Sequence, residues 1–171
     1  MNLFNGNLNA HKTKTEWHHA AEHGMRIDLF SYVHTGILMA LKDVCTAWSP
    51  RMLSVLRIMS ALLLMQHGTA KFLSIPPMEQ FAKLQPYGLS WTAGLFELIG
   101  GALLLIGLFT RPVAFVLSGL MAFAYFIAHA PRAFYPIANG GELAALYCFV
   151  FLYLAFAGGG AWSVDAARKS A

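Results

Sequence analysis

The chain has 171 residues, 57% of them hydrophobic and only 12% charged, about half the charged share of roughly 25% in a soluble globular domain. That composition argues against a water-filled surroundings on all sides and points to lipid as the main solvent. The formal net charge of +4 comes without a basic cluster interleaved with aromatics, so no nucleic-acid surface is expected.

Residues 1–51 are a different material from the rest. They begin polar (HKTKTEWHHAAEHG) and turn mixed (MRIDLFSYVHTGILMALKDVCTAW). No charged stretch followed directly by an apolar run marks a signal peptide. Ile27, Phe30, Ile37 and Leu41 recur at helical spacing. The segment reads as an amphipathic helix lying on the inner leaflet, with a fifth span broken by Lys42-Asp43 as the alternative. His18, His19 and His23 include an i, i+4 pair, but no carboxylate or thiolate completes a metal-site pattern, so no metal is expected.

A bilayer core about 30 Å thick takes about 20 apolar helical residues to cross. Stretches at 52–73, 89–109, 112–130 and 142–161 meet that length. Ser74-Ile75-Pro76-Pro77, Gln85-Pro86-Tyr87-Gly88, Thr110-Arg111-Pro112, Pro131 to Pro136 and Asn139-Gly140-Gly141 punctuate them. The expected fold is all-α, a four-helix transmembrane bundle of up-down topology. Lys12, Lys14, Arg26, Lys42, Arg51, Arg111, Arg168 and Lys169 fall on one side, against Lys71, Lys83 and Arg132 on the other. Both termini are therefore expected in the cytoplasm. The organisation is a cytoplasmic extension at 1–51, a four-span domain at 52–166 and a basic tail at 167–171.

Within the spans, ionisable residues gather on stripes. Arg57, Ser60, Ala61, Leu64, His67, Gly68 and Lys71 share a face of the first, and Ser90, Ala93, Gly94, Glu97, Gly100, Gly101 and Leu104 a face of the second. Small residues beside Glu97 mean helix contact, because they let backbones approach closely in lipid. The third span aligns Ala114, Ser118, Ala122, Tyr125 and His129. The fourth aligns Glu142, Ala145, Phe149, Tyr153, Phe156 and Gly160.

Depth brings some of these groups together. His67 lies about 9 Å and Glu97 about 12 Å below the outer ends of their spans, with His129, Glu142 and Lys71 nearer the mouth. Arg57 sits roughly 15 Å deeper than His67. A lone charge at mid-span costs about 2.5–3.5 kcal/mol, so Glu97 is expected to pair with His67 or Lys71, reach toward Arg57, or stay protonated. The candidate proton-transfer cluster is Glu97, His67, His129, Glu142 and Lys71. Arg57, Tyr125, Phe149 and Tyr153 are the candidates for holding a flat ring such as a quinone.

Each also has a plainer role: an interhelical bond for Glu97, a dipole-complementing first turn for Glu142, an interfacial anchor for His129, bundle packing for Phe149 and Tyr153. Cys45 and Cys148 form no CxxC pair. There is no phosphate loop, HExxH or nucleophile-base set. His67 and His129 at unequal depth make poor axial haem ligands.

Four blocks in order make the chain resemble the DoxX family of small membrane proteins. They are Arg57-Ile58 with HGTAKFL at 67–73, GLFELIGGALLLIGLFTRPVA at 94–114, AHAPRAF with Pro136 and NGGELAALY at 139–147, and GGGAWSVDA at 158–166. The resemblance implies a multi-pass protein of the cell (inner) membrane whose family takes its name from a subunit of a thiosulfate:quinone oxidoreductase. It also implies that Arg57, His67, Lys71, Glu97, Arg111, His129, Asn139 and Glu142 occupy the family's polar positions. The expected function is a redox subunit linked to a quinone or sulfur compound, with a redox-complex protein as partner and oligomerisation open. A non-catalytic scaffold of a redox or stress-response complex, or a small-solute carrier, is the alternative.

Overall fold

The computed structural model describes residues 14–82 and 84–170, with side chains from residue 31 onward. Lys12, Lys83 and the side chains of His18, His19, His23, Ile27 and Phe30 lie outside the described residues. Every described element is helical: α1 (Lys14–Phe72), α2 (Leu89–Ile106), α3 (Thr110–Ala124), α4 (Pro136–Asn139), α5 (Glu142–Ala157) and α6 (Val164–Ser170). A 3-10 turn at Glu79–Phe81 precedes α2, and a π-helical turn at Tyr125–His129 extends α3.

The chain divides into two units, Met1–Ala47 and Trp48–Ala171. In the first, every described side chain from 31 to 47 is exposed, Ile37 and Leu41 included. Rather than starting afresh near residue 52, α1 contains Pro50 in its interior. Proline there removes one helical donor, but its carbonyl stays useful, accepting from Ser54 Oγ at 3.0 Å and from the Ala161 N–H at 3.0 Å.

The second unit has the core. Ala61 and Leu64 of α1, Leu104 of α2, Ala114, Leu117 and Met121 of α3, and Tyr147, Phe151 and Leu154 of α5 are buried together. Leu117 of α3 packs over Gly100 and Met65 of α1 over Gly101, so the glycine pair of α2 receives a large side chain from each neighbour. Ser118 Oγ donates to the Cys148 carbonyl at 2.8 Å, joining α3 to α5. Cys45 and Cys148 are both free thiols. Leu89–Ile106 and Thr110–His129 are long and apolar enough to cross a membrane, and Glu142–Ala157 is a shorter apolar helix.

Helix ends explain where the sequence-based boundaries shift. α2 stops at Gly107, whose φ of 70° is left-handed. The Leu108 N–H then bonds the Leu103 carbonyl at 3.0 Å, a reversal that glycine adopts without steric cost. α5 ends at Ala157, four residues short of the expected 161, because Gly158 and Gly160 take φ of 90° and 76° and send the chain back across the bundle end. Phe109, at φ 51°, is strained for a non-glycine. Asp165 holds it, with Oδ1 accepting from the Phe109 N–H at 2.9 Å and Oδ2 from the Thr110 N–H at 2.7 Å.

Candidate functional site

The last turns of α1 cross the first turns of α2 at Gly68 and Gly94. A Cβ on Gly68 would lie 3.0 Å from the Leu98 backbone nitrogen and 3.1 Å from the Gly94 carbonyl oxygen, so the helices meet nearly backbone to backbone. That approach delivers Lys71 to Glu97. Lys71 Nζ donates to Oε1 at 2.8 Å and to Oε2 at 2.6 Å, and the two side chains are only 7% and 8% exposed. The ammonium also lies 5.5 Å from the centroid of the Phe81 ring, a cation–π contact from the 3-10 turn. Among the partners open to Glu97 from the sequence, the structure pairs it with Lys71.

This pair forms part of the wall of a cavity of about 510 Å³. His67 of α1, Gln80 and Phe81 of the 3-10 turn, Phe96 of α2, Met121 of α3, Ile127 and His129 of the π turn, and Tyr147 of α5 complete much of the lining. In the π turn the Ala130 N–H reaches back to the Tyr125 carbonyl at 2.9 Å. A wider turn shifts the phase of the residues after it, and Ile127, Ala128 and His129 all reach the cavity. His129 Nδ1 lies 3.2 Å from the Asn139 carbonyl oxygen. Asn139 is buried and ties the following turn, donating from Nδ2 to the Ala133 carbonyl at 2.9 Å and accepting the Gly141 N–H at 2.8 Å. His67 has no hydrogen-bond partner among the described residues.

The arrangement sets an ion pair, two imidazoles, a phenol, the Gln80 amide and the Ser90 and Thr92 hydroxyls around a largely apolar chamber. Such a chamber suits a ligand that is mostly lipophilic with a few polar atoms. Among the described residues, no three His, Cys, Asp or Glu side chains come together as a metal set.

Four of the five residues expected in the proton-transfer cluster, Glu97, His67, His129 and Lys71, line this one cavity. Glu142 does not. It is exposed in the first turn of α5, where a carboxylate complements the helix dipole. The expected inward stripe of the fourth span also needs correction, since Phe149 is 69% and Tyr153 58% exposed while Tyr147, Phe151 and Leu154 are buried. Beyond Glu142, α5 is apolar all round, so polarity does not distinguish its faces and packing against α3 selects one. Tyr125 lies against Gly141 and edge-on to Phe126, at 5.4 Å between ring centroids, rather than in the cavity lining.

Arg57 is inward, as its stripe required, but is fully committed to backbone. Its Nε donates to the Gly159 carbonyl at 2.9 Å, Nη1 to Leu105 at 2.6 Å and also to Leu104, and Nη2 to Trp162 at 2.6 Å. It caps the C-terminal end of α2 and fastens the glycine loop after α5. Fourteen residues from Lys71, it stands about 21 Å away along α1. A ring-binding role there has no support in these contacts.

Tyr147 and the π turn are the features that sequence reasoning missed. Ala144, Tyr147, Phe151 and Leu154 do recur at spacings of three and four, the one signal that could have marked the inward face.

The family model described as DoxX matches residues 52–130. An uncharacterized protein of Haemophilus influenzae (strain Rd) is 46% identical over 122 residues, which cover 69% of this chain and 91% of that relative. No solved structure matches the chain.

Proposed function

The chain belongs to the DoxX family of membrane proteins, and from that premise we propose that residues 52–166 form a four-span up-down domain of the inner membrane. Both termini are then cytoplasmic, residues 1–51 form an extension and residues 167–171 a basic tail. In this arrangement the cavity lies in the outer half of the bundle and the Arg57 clamp at the inner end.

The function that best fits is a redox subunit whose cavity binds a quinone-type ring or a small sulfur compound. The observation that carries it is the union of Lys71, Glu97, His67 and His129 on one largely apolar chamber of about 510 Å³. Reducing a bound quinone takes up two electrons and two protons. The electrons would come from the sulfur compound or from a partner protein of the redox complex, and the protons through His67 beside the Lys71–Glu97 pair. His67 suits a relay because an imidazole can accept a proton at one ring nitrogen and donate one from the other, and neither nitrogen is engaged by a described residue.

A scaffold is the second reading, and the doubly hydrogen-bonded ion pair favours it, since a clamp between α1 and α2 fixes helix register whether or not anything binds. The two readings separate in one experiment. Wild type and Glu97→Gln are purified in mild detergent, and the lipophilic molecules that accompany them are extracted and identified by mass spectrometry. The site reading expects a stoichiometric quinone in wild type that is depleted at least about tenfold in the variant, a change of roughly 1.4 kcal/mol in binding. Bulk lipid alone in both would sink it and leave the scaffold.

A further inference from the structure

We infer that Tyr147 is the hydrogen-bond donor by which the cavity holds a carbonyl-type acceptor on a flat lipophilic ligand. This deepens the site reading above and rests on it.

Tyr147 is 5% exposed, lines the cavity, and makes no hydrogen bond with any described residue. Its ring is held by parallel stacking on Phe151, with centroids 5.3 Å apart and planes 4° from parallel. A phenylalanine would fill the same space, so the hydroxyl adds nothing to the packing; it is not sealed off and is free to bond what enters the cavity. Among the other polar groups of the lining, Lys71 is engaged with Glu97 and His129 with the Asn139 carbonyl, while His67 has no partner among the described residues. The phenol is a neutral donor in an apolar wall, a match for an acceptor such as a ring carbonyl and a poor match for a cation.

Access supports a lipophilic occupant. The exposed part of the lining includes Leu89 and Phe96 on α2, and Phe123 and Ile127 near the end of α3. In a bilayer these side chains meet acyl chains, so the mouth opens sideways to lipid as well as to water, and a molecule dissolved in the membrane enters without leaving it.

The test uses two probes of one shape, 2-methyl-1,4-naphthoquinone and 2-methylnaphthalene, titrated into full-length wild type and Tyr147→Phe in nanodiscs. Thermal unfolding of both proteins is measured alongside. The expected result is a Kd for the quinone about tenfold weaker in Tyr147→Phe, with hydrocarbon affinity and unfolding temperature unchanged. Equal quinone affinity in the two proteins overturns the role of Tyr147 and leaves the site reading standing. Equal weakening for both probes also overturns it, because a packing defect does not discriminate a carbonyl. No quinone binding to wild type overturns the site reading and this inference together.

Discussion

Arg57 and Lys71 share a stripe of one helix, yet their charges do different work. Lys71 meets a carboxylate at the edge of a chamber, whereas Arg57 meets only carbonyl oxygens and replaces the water that the ends of α2 and α5 would otherwise need. Their shared burial follows from the cost of a charge in lipid, but their partners follow from which backbone ends are near. Asp165 is the comparable residue outside the spans. Burial pushes its carboxyl up, but the Thr110 and Phe109 N–H groups and Arg168 outweigh that and hold it below the ordinary carboxylate range. Because the folded-state pKa is depressed, the stabilisation is fully present above the unfolded value of about 3.9 and drains away as pH falls through the folded value. Asp165→Asn is expected to lose about 1 kcal/mol at pH 7, because the amide keeps only one of the two acceptor oxygens and turns its NH2 toward the other N–H. In thermal scans between pH 7 and pH 3 the variant should show a shallower acid slope than wild type. Parallel slopes would mean that the carboxylate does not hold the strained turn at Phe109.

At the scale of elements, legibility depended on contrast. The stripes of α1 and α2 could be read because Arg57, His67, Lys71 and Glu97 stand out among apolar residues and each must face protein. α5 offers no such contrast, with aromatic residues at 147, 149, 151, 153 and 156 distributed round the helix. Its buried face is set by Leu117, Ser118 and Met121 of α3, which take Tyr147, Phe151 and Leu154 into the core. The π turn was equally invisible, since YFIAH has nothing to mark a wider hydrogen-bond ring. The crossing of α1 and α2 yields a prediction with an internal control. Gly68→Ala places a methyl against the backbone of α2 and is expected to cost about 1–3 kcal/mol. Gly119→Ala, where no atom lies within 4 Å, is expected to stabilise by about 0.5–1 kcal/mol. Thermal unfolding of the two variants in one detergent decides it, and an unfolding temperature unchanged or raised in Gly68→Ala would show that the close crossing is not needed.

For the whole molecule, the second unit has a polar centre at each end, the Arg57 clamp with Asp165 at one and the Lys71–Glu97 cavity at the other. The first unit has no described buried side chain. Removing residues 1–47 should therefore change the stability of the rest by less than about 1 kcal/mol, read as an unfolding temperature moved by only a few degrees. Collapse of the truncated protein would show that α1 before Trp48 contributes packing to the remainder.

What the sequence determined by itself was the solvent, the helical class and the inward placement of Glu97, Lys71, His67 and Arg57. Lipid penalises every exposed charge and unpaired backbone group, and that penalty is legible residue by residue. Only the tertiary structure decided that Glu97 takes Lys71, that Arg57 serves carbonyl ends, that Tyr147 rather than Phe149 or Tyr153 faces the cavity, and that Glu142 stays outside. Those outcomes depend on helix rotation, close approach at glycine and a single widened turn. None of them changes the polarity of the chain, so composition carries no record of them, and spacing marks only the face of α5 that holds Tyr147.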